Sequence, residues 1–589
     1  MVDSIISEMR SLPMPFAIFL SPPPVNLSRT NVCRFFGSII KVLCLSAWII
    51  PYTIAAEIKQ VECDTPNTKN AAELFNIKPV TIDALNIIAH PIFDENESDI
   101  LAIHHFANWL HINTEDEVIK ERLPFSVGDS VGEDELAEAE RIIRSQPYIR
   151  DAKVSLSARC QFDDPTEVEI HTWDNWSMIP TVSFGRKGGN NKFSLGLKED
   201  NLLGMGIRTR FKYNSDEQRN GYQLTIKSAT PYIKHSTLLL DFLDNDDGQR
   251  TQLVFDKPFY HLRSESMFYA EYLSDEKTEE IFQSGLTRNS FDVKSHHYQL
   301  ATGWLLDNTI GSNSSSRFKI GVTDEKSTFF VSDTQHENDQ IYLPKNRNYR
   351  YPWLGFEYLQ RNFKVFSDIY LIKQSEDINL GWQYDLKLGL ELSDVAPGSD
   401  LAYHLMLSTS KGYALNDGLL LLSLKGDGAF NTSNPDQYLL SFNAEYFKRY
   451  TPLFGLYSRT SMITSNNQFM DTPVTLGDEN GVRGYSLQYQ HGEHSVSATA
   501  EARFYSGYNL YKILDVGFAA FMDVGKASGG EQAQGNETNS LISSVGVGAR
   551  LYSSRSSHRS VVHIDLVKPL TSSIYIDSWE WRLQLKQAF

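Results

Sequence analysis

The chain ends in SWEWRLQLKQAF (578–589), and these residues alternate almost without fault. Trp579, Trp581, Leu583, Leu585 and Phe589 fall on one face, with Gln587 the exception. Ser578, Glu580, Arg582, Gln584 and Lys586 fall on the other. A period of two is the signature of a β-strand, whose successive side chains point to opposite faces. A soluble sheet can show this pattern. A strand of a membrane barrel must show it, because its apolar face meets lipid and its polar face meets a wet lumen.

The same pattern runs upstream. TVSFGR (181–186), KFSLGLKE (192–199), GIRTRFKY (206–213) and YQLTIKS (222–228) are separated by turns. In the second, Phe193, Leu195 and Leu197 oppose Lys192, Ser194 and Lys198. In the third, Ile207, Thr209, Phe211 and Tyr213 oppose Arg208, Arg210 and Lys212. Cations on the inner face of neighbouring strands suit a watery lumen rather than a packed core. Strand-like segments recur to the end, as in YLLSFNAEYF (438–447) and VVHIDLVKPL (561–570), and the polar stretches 305–316 and 325–350 read as surface loops. Roughly 410 residues are available and a membrane strand takes about 9–11, which leads us to expect a mainly β fold with an antiparallel transmembrane barrel of about 16 strands. Closure is expected because lipid cannot satisfy a free sheet edge.

Ahead of the barrel the pattern is mixed. VTIDALNIIAH (80–90) reads as a strand. TEDEVIKERL (114–123) reads as a helix opened by a Thr114–Glu117 capping box. EDELAEAERIIRS (133–145) reads as a second helix with Leu136, Ala139 and Ile143 on one face. AKVSLSA (152–158) and TEVEIHTW (166–173) read as two more strands. The order β-α-α-β-β fits one small α+β domain. At the start, RFFGSIIKVLCLSAWIIPYTIAAE (34–57) has the layout of a secretory leader. The expected organisation is a signal peptide over 1–56, a linker over 57–76, the small domain over 77–176 and the barrel over 177–589.

The net charge of −18 argues against a nucleic-acid partner. There is no nucleophile elbow, phosphate loop or zinc-helix motif, so neither an enzyme nor a cofactor is expected. The acidic run DFLDNDDGQ (241–249) lacks the spacing of a calcium loop and reads as a solvated turn. Cys63 and Cys160 remain after the leader, and their pairing stays open.

One loop raises a sharper question. LGDENGVRGYSLQY (476–489) places Val482, Arg483, Gly484 and Tyr485 in a long polar connection. Alone, Arg483 is as readily a solvated charge. Downstream, ATAEARFY (498–505) puts Thr499, Glu501 and Arg503 on one face, and GFAAFMDVG (517–525) puts Asp523 with Phe521 and Ala519. Two carboxylates therefore share the polar side of later strands, and Asp565 in HIDLVKPL is a spare beside His563.

These motifs, with the turn Asn201-Leu202-Leu203-Gly204 and the terminal aromatic Phe589, resemble the BamA/TamA/two-partner-secretion superfamily of outer-membrane barrels. The resemblance covers almost all of the chain beyond the leader. It implies that 80–175 is a POTRA-like domain in the periplasm, a single one where the named members carry several. It implies that VRGY is the luminal loop motif, with Glu501 and Asp523 as the partners of Arg483. It also implies that the C-terminal strand carries the sorting signal of outer-membrane barrels. The function implied is insertion or secretion of unfolded polypeptide clients across the outer membrane of a Gram-negative bacterium. The partners would be those clients and outer-membrane lipid, with periplasmic chaperones or accessory lipoproteins as further candidates. A passive porin-like channel is the alternative, and a soluble secreted β-protein a third reading.

Overall fold

The computed structural model describes residues 79–93, 101–157, 165–187, 190–216, 218–306, 313–332, 342–399, 401–416, 418–557, 560–573 and 576–586. The leader, the linker, Cys63, Cys160 and Phe589 lie outside the described residues.

The small domain is built on a three-stranded sheet. Ala84–His90 runs parallel to Glu167–Asp174, which pairs antiparallel with Ile149–Leu156. Three helices accompany it: α1 (Ala102–Leu110), α2 (Asp116–Arg122) and α3 (Glu133–Arg144). Ile119, Leu136, Ala139 and Ile143 pack with Val154, Val168 and Ile170 into one core. The stripe expected of α3 is thus the buried one. Helix α1 was not expected; its sequence AIHHFANWL has no Asp, Glu, Lys or Arg to mark a polar face.

The expected Thr114 capping box does not form. Asp174 accepts hydrogen bonds from the Thr114 backbone N–H at 2.8 Å and from its Oγ1 at 2.9 Å. Asp174 thus takes both Thr114 donors, and the backbone N–H that Glu117 would accept is no longer free. Asn201 joins this cluster, donating to Thr114 Oγ1 at 2.9 Å and accepting from Gly206 N at 2.7 Å. Glu115 N donates to Gly204 O. The turn at 201–204 is therefore where the small domain meets the first barrel hairpins.

The barrel strands run from Met178–Lys187 to Glu580–Lys586 in one antiparallel sheet of twenty strands, against the expected sixteen or so. The even count holds; the number does not. Strands such as Ser266–Gln283, Leu286–Leu305 and Ser314–Val331 run 18, 20 and 18 residues. Residues 325–331 and 347–350, expected in a loop, are strand. Their outer stretches rise past the apolar belt, so alternation fades while backbone pairing continues. The acidic stretch 241–249 is the tip of the hairpin Thr237–Asn245 and Gly248–Lys257.

Among the described residues the sheet's two ends meet at one register pair, Leu583 opposite Arg186. The neighbouring pairings are far longer, from Val561–Lys586 to Val567–Glu580 and from Met178–Glu199 to Lys187–Asn190. Outward-facing Leu195, Phe211, Leu300, Leu354, Leu405, Met522 and Leu566 are exposed around the ring. On the last strand Trp579, Trp581 and Leu585 are exposed, Leu583 is partly so, and Glu580 and Arg582 are buried. An apolar outside around a charged inside is the arrangement of a membrane barrel. Among the described residues no helix is long and apolar enough to cross a membrane.

Candidate functional site

The loop between Phe454–Asn466 and His494–Leu510 folds into the lumen. Two glycines permit the approach. Gly484 sits at φ +87°, and a Cβ there would lie 2.9 Å from Val567 Cγ1 on the wall. At Gly481 a Cβ would meet Ser497 Cβ at 2.8 Å. Val482 and Tyr485 are fully buried in a cluster with Leu476, Tyr489, Ala527 and Ile542. The Tyr485 hydroxyl donates to Ser543 O at 2.8 Å.

Arg483 is 7% exposed and lies between the two expected acids. Its Nε and Nη2 donate to Asp523 at 2.6 and 2.9 Å, and its Nη1 donates to Glu501 at 3.1 Å. Its guanidinium carbon lies 3.3 Å from the centre of the Phe521 ring. A planar fork suits two carboxylates at once, which an ammonium cannot match. Thr499 Oγ1 completes the Asp523 shell at 2.8 Å.

Asp565 is not a partner of Arg483. It accepts from Arg550 at 2.6 Å and from Arg582 at 3.2 Å. Arg550 Nη2 reaches back to Glu501 at 3.5 Å, and Arg503 Nε donates to Glu501 at 3.1 Å. The spare acid thus holds the wall arginines rather than the loop.

Sequence reasoning missed the second tie. Asp478, two residues into the quoted loop, pairs with Arg582 of the last strand at 2.7 and 2.9 Å and accepts Gly484 N at 2.6 Å. A third tie joins Asp471 to Arg347 in a buried bidentate pair at 2.8 and 2.6 Å. Across the lumen, His491 Nε2 is 2.6 Å from Phe282 O, and Phe282 N donates to Gln488. The loop therefore spans the opening from wall to wall.

A second insert enters from the other end. Among the described residues the hairpin Phe363–Ser367 and Ser375–Asn379 pairs only with itself. Its tip crosses to the far wall, where Ile369 O accepts from Arg503 at 2.8 Å and Tyr505 donates to Asp368 O at 2.9 Å. Leu371 and Ile372 pack on Tyr505, Ala519, Tyr552 and Val561. Its base is held by the small domain: Arg144 of α3 pairs with Asp377 at 3.0 Å, and Arg361 pairs with Asp134 and Glu138 at 2.8 and 3.0 Å. Arg503 bonds Ile369 O of the hairpin and Glu501, which also holds Arg483 of the loop, so loop, hairpin and α3 form one connected set of contacts.

No family model matches the chain, and no curated protein matches it. Among solved structures, BamA from Haemophilus ducreyi lacking POTRA domains 1–3 is 12% identical, with 86% of this chain and 84% of that chain covered and a TM-score of 0.40. CdiB from Acinetobacter baumannii is 10% identical over 100% of this chain and 96% of that one, TM-score 0.39. The FrpB iron transporter from Neisseria meningitidis is 9% identical over 75% and 88%, TM-score 0.38. Likeness of this degree does not choose among functions. The residues of the lumen and the seam have to do so.

Proposed function

We propose that the chain is an outer-membrane protein insertase or translocase whose POTRA-like domain takes unfolded polypeptide clients in the periplasm. The observation that carries this reading is the seam. A barrel that needs only to stay shut gains from a fully paired closure, since every unpaired strand edge in lipid is costly. Among the described residues this one pairs its ends only at Leu583 and Arg186, with 188–189 and 587–589 outside those residues. A client strand could add there by backbone pairing, with no catalytic residue and with the client's own folding supplying the free energy.

Strand addition in the small domain fits the edge Ala84–His90. The opposite edge has its backbone engaged, Ala152 O by Arg144 and Val154 N by Glu140. The VRGY loop then serves as the luminal brace, fastened to the last strand through Asp478 and Arg582. The passive porin reading calls for an open lumen, and the loop and hairpin occupy this one.

The test has two parts. Depletion followed by outer-membrane and secreted proteomics separates general assembly, with loss of many barrels, from dedicated secretion, with loss of one exported protein; no change in either counts against the class. A lock across the seam, Arg186→Cys with Leu583→Cys, should abolish client delivery under oxidation and restore it on reduction. Unchanged delivery in the locked protein would sink the seam mechanism.

A further inference from the structure

Helix α1 (Ala102–Leu110) turns polar side chains towards the protein and aromatic ones away from it. His104 is fully buried, its Nε2 donating to Tyr511 O at 2.7 Å and its Nδ1 accepting from Leu101 N at 3.2 Å. Asn108 bonds both backbone groups of Phe93, at 2.9 and 3.1 Å. His111, just past the helix, meets Asp174 at 3.1 Å. On the outward side Phe106 is 52% and Trp109 78% exposed, with their rings 5.9 Å apart, and Ile112 is exposed beyond them. His105 shares that side. Helix α3 shows the ordinary arrangement: it buries Leu136, Ala139, Ile142 and Ile143 and presents Glu133 and Asp134 to water. A helix on a soluble surface keeps its charged face outward. From Leu101 to Asn113 the chain holds no Asp, Glu, Lys or Arg at all. An inverted, uncharged helix suits surroundings that are themselves apolar.

The position of α1 says which surroundings these are. Tyr511, whose carbonyl holds His104, is itself 72% exposed and lies in the turn between the barrel strands His494–Leu510 and Leu514–Ser528. Tyr508 of the same turn is exposed too. Past the other end of α1, a Cβ on Gly204 would lie 3.4 Å from Ile112 Cγ2. Gly204 belongs to the turn between Asn190–Leu202 and Ile207–Ser215, where Leu203 and Met205 are exposed. The outward face of α1 is therefore continuous with apolar and aromatic side chains at the barrel's near rim. Membrane barrels place such aromatics at the boundary between lipid chains and water. In ring order the two turns stand on either side of the seam between Glu580–Lys586 and Met178–Lys187.

We propose that α1 lies in the periplasmic leaflet of the outer membrane, with Phe106, Trp109 and Ile112 set among the lipid chains just below the headgroups. The occupant of this face is lipid rather than a protein, because the face adjoins the barrel's own lipid-facing surface and carries no formal charge to specify a partner. The helix then holds the small domain against the bilayer on the seam side of the rim. This inference rests on the membrane placement of the barrel and not on the translocase reading.

The test uses the full chain in phosphatidylcholine nanodiscs. A benzophenone amino acid replaces Trp109 and, in two reference proteins, Leu354 of the outer belt and Glu117 of α2. After irradiation, intact-mass spectrometry reads what has been captured. The expected result is one phosphatidylcholine at position 109, as at 354, and none at 117. A covalent dimer, an internal cross-link without lipid, or no capture at 109 while 354 takes lipid overturns the proposal and leaves the membrane placement standing. No lipid at 354 either removes both. A second measurement moves the reporter to Ile112 and adds Phe106→Ser with Trp109→Ser. These side chains are exposed, so the fold should survive, as heat-modifiability checks. Lipid capture at 112 should fall on the order of tenfold. Undiminished capture there would also overturn the proposal.

Discussion

Arg582, three residues after Trp579 on the last strand, is joined to Asp478 in the luminal loop by two contacts of 2.7 and 2.9 Å. Both side chains are buried. The loop is thus tied to the one strand that closes the ring. Removing Asp478 leaves Arg582 to Asp565, which Arg550 already shares, so the cost should fall at or below the about 3–5 kcal/mol typical of a broken buried pair. Asp478→Asn should lower the thermal midpoint, read as heat-modifiability on a gel. The pair Asp478→Leu with Arg582→Met should lose less than the sum of the two single changes, because no charge is then left orphaned.

The two inserts obstruct the lumen one after the other, and resistances in series are governed by the larger. Arg483→Ala frees the loop from Asp523 and Glu501 but leaves the hairpin in place. Deleting 363–379 does the converse. Each change alone should raise single-channel conductance in a planar bilayer only modestly. The two together should raise it by more than the product of the separate ratios. Equal effects in every combination would show that one insert does not obstruct.

His235 makes a pH prediction. Its ring stacks on Tyr260 at 4.0 Å and lies 3.2 Å from Leu123 O. Burial lowers its pKa from 6.5 to about 4, so the folded protein prefers the neutral ring. The unfolded chain then binds the extra proton between those values, and stability rises with pH across that window. This contribution is whole above about pH 6.5 and fades as the pH falls towards 4. His235→Phe should flatten that part of the midpoint-against-pH curve.

Gly484 and Gly507 separate backbone strain from steric contact. Both have positive φ, +87° and +74°. A Cβ at Gly507 meets nothing within 4 Å, whereas at Gly484 it strikes Val567. Gly507→Ala should cost only the strain of the left-handed region, about 1–3 kcal/mol. Gly484→Ala should cost more and should also raise conductance, since the loop must leave the wall.

Parity was the most legible property of the sequence. Glu501, Asp523 and Arg582 are buried while Phe504, Met522 and Trp581 are exposed, as a period of two requires. The strand count was not legible, because Ser274 to Glu280 is strand without apolar alternation. The Asp478–Arg582 tie joins residues 104 apart and depends on where a loop lands, which no local pattern states. The hairpin at 363–379 carries ordinary strand residues; nothing in them says that it leaves the wall for the lumen. Thr114 misled because the competing acceptor, Asp174, is 60 residues away.

The charge on the wall has a consequence for whatever passes. The loop contributes two acids, Asp471 and Asp478, and one base, Arg483, to the buried ion pairs. Withdrawn, it leaves Arg347, Arg503, Arg550 and Arg582 on the wall with Glu501, Asp523 and Asp565. Among these groups the uncovered passage then carries one more cation than anion. Across a salt gradient its reversal potential should shift to the anion-selective side, and a variant without Arg347 should bring it back towards zero.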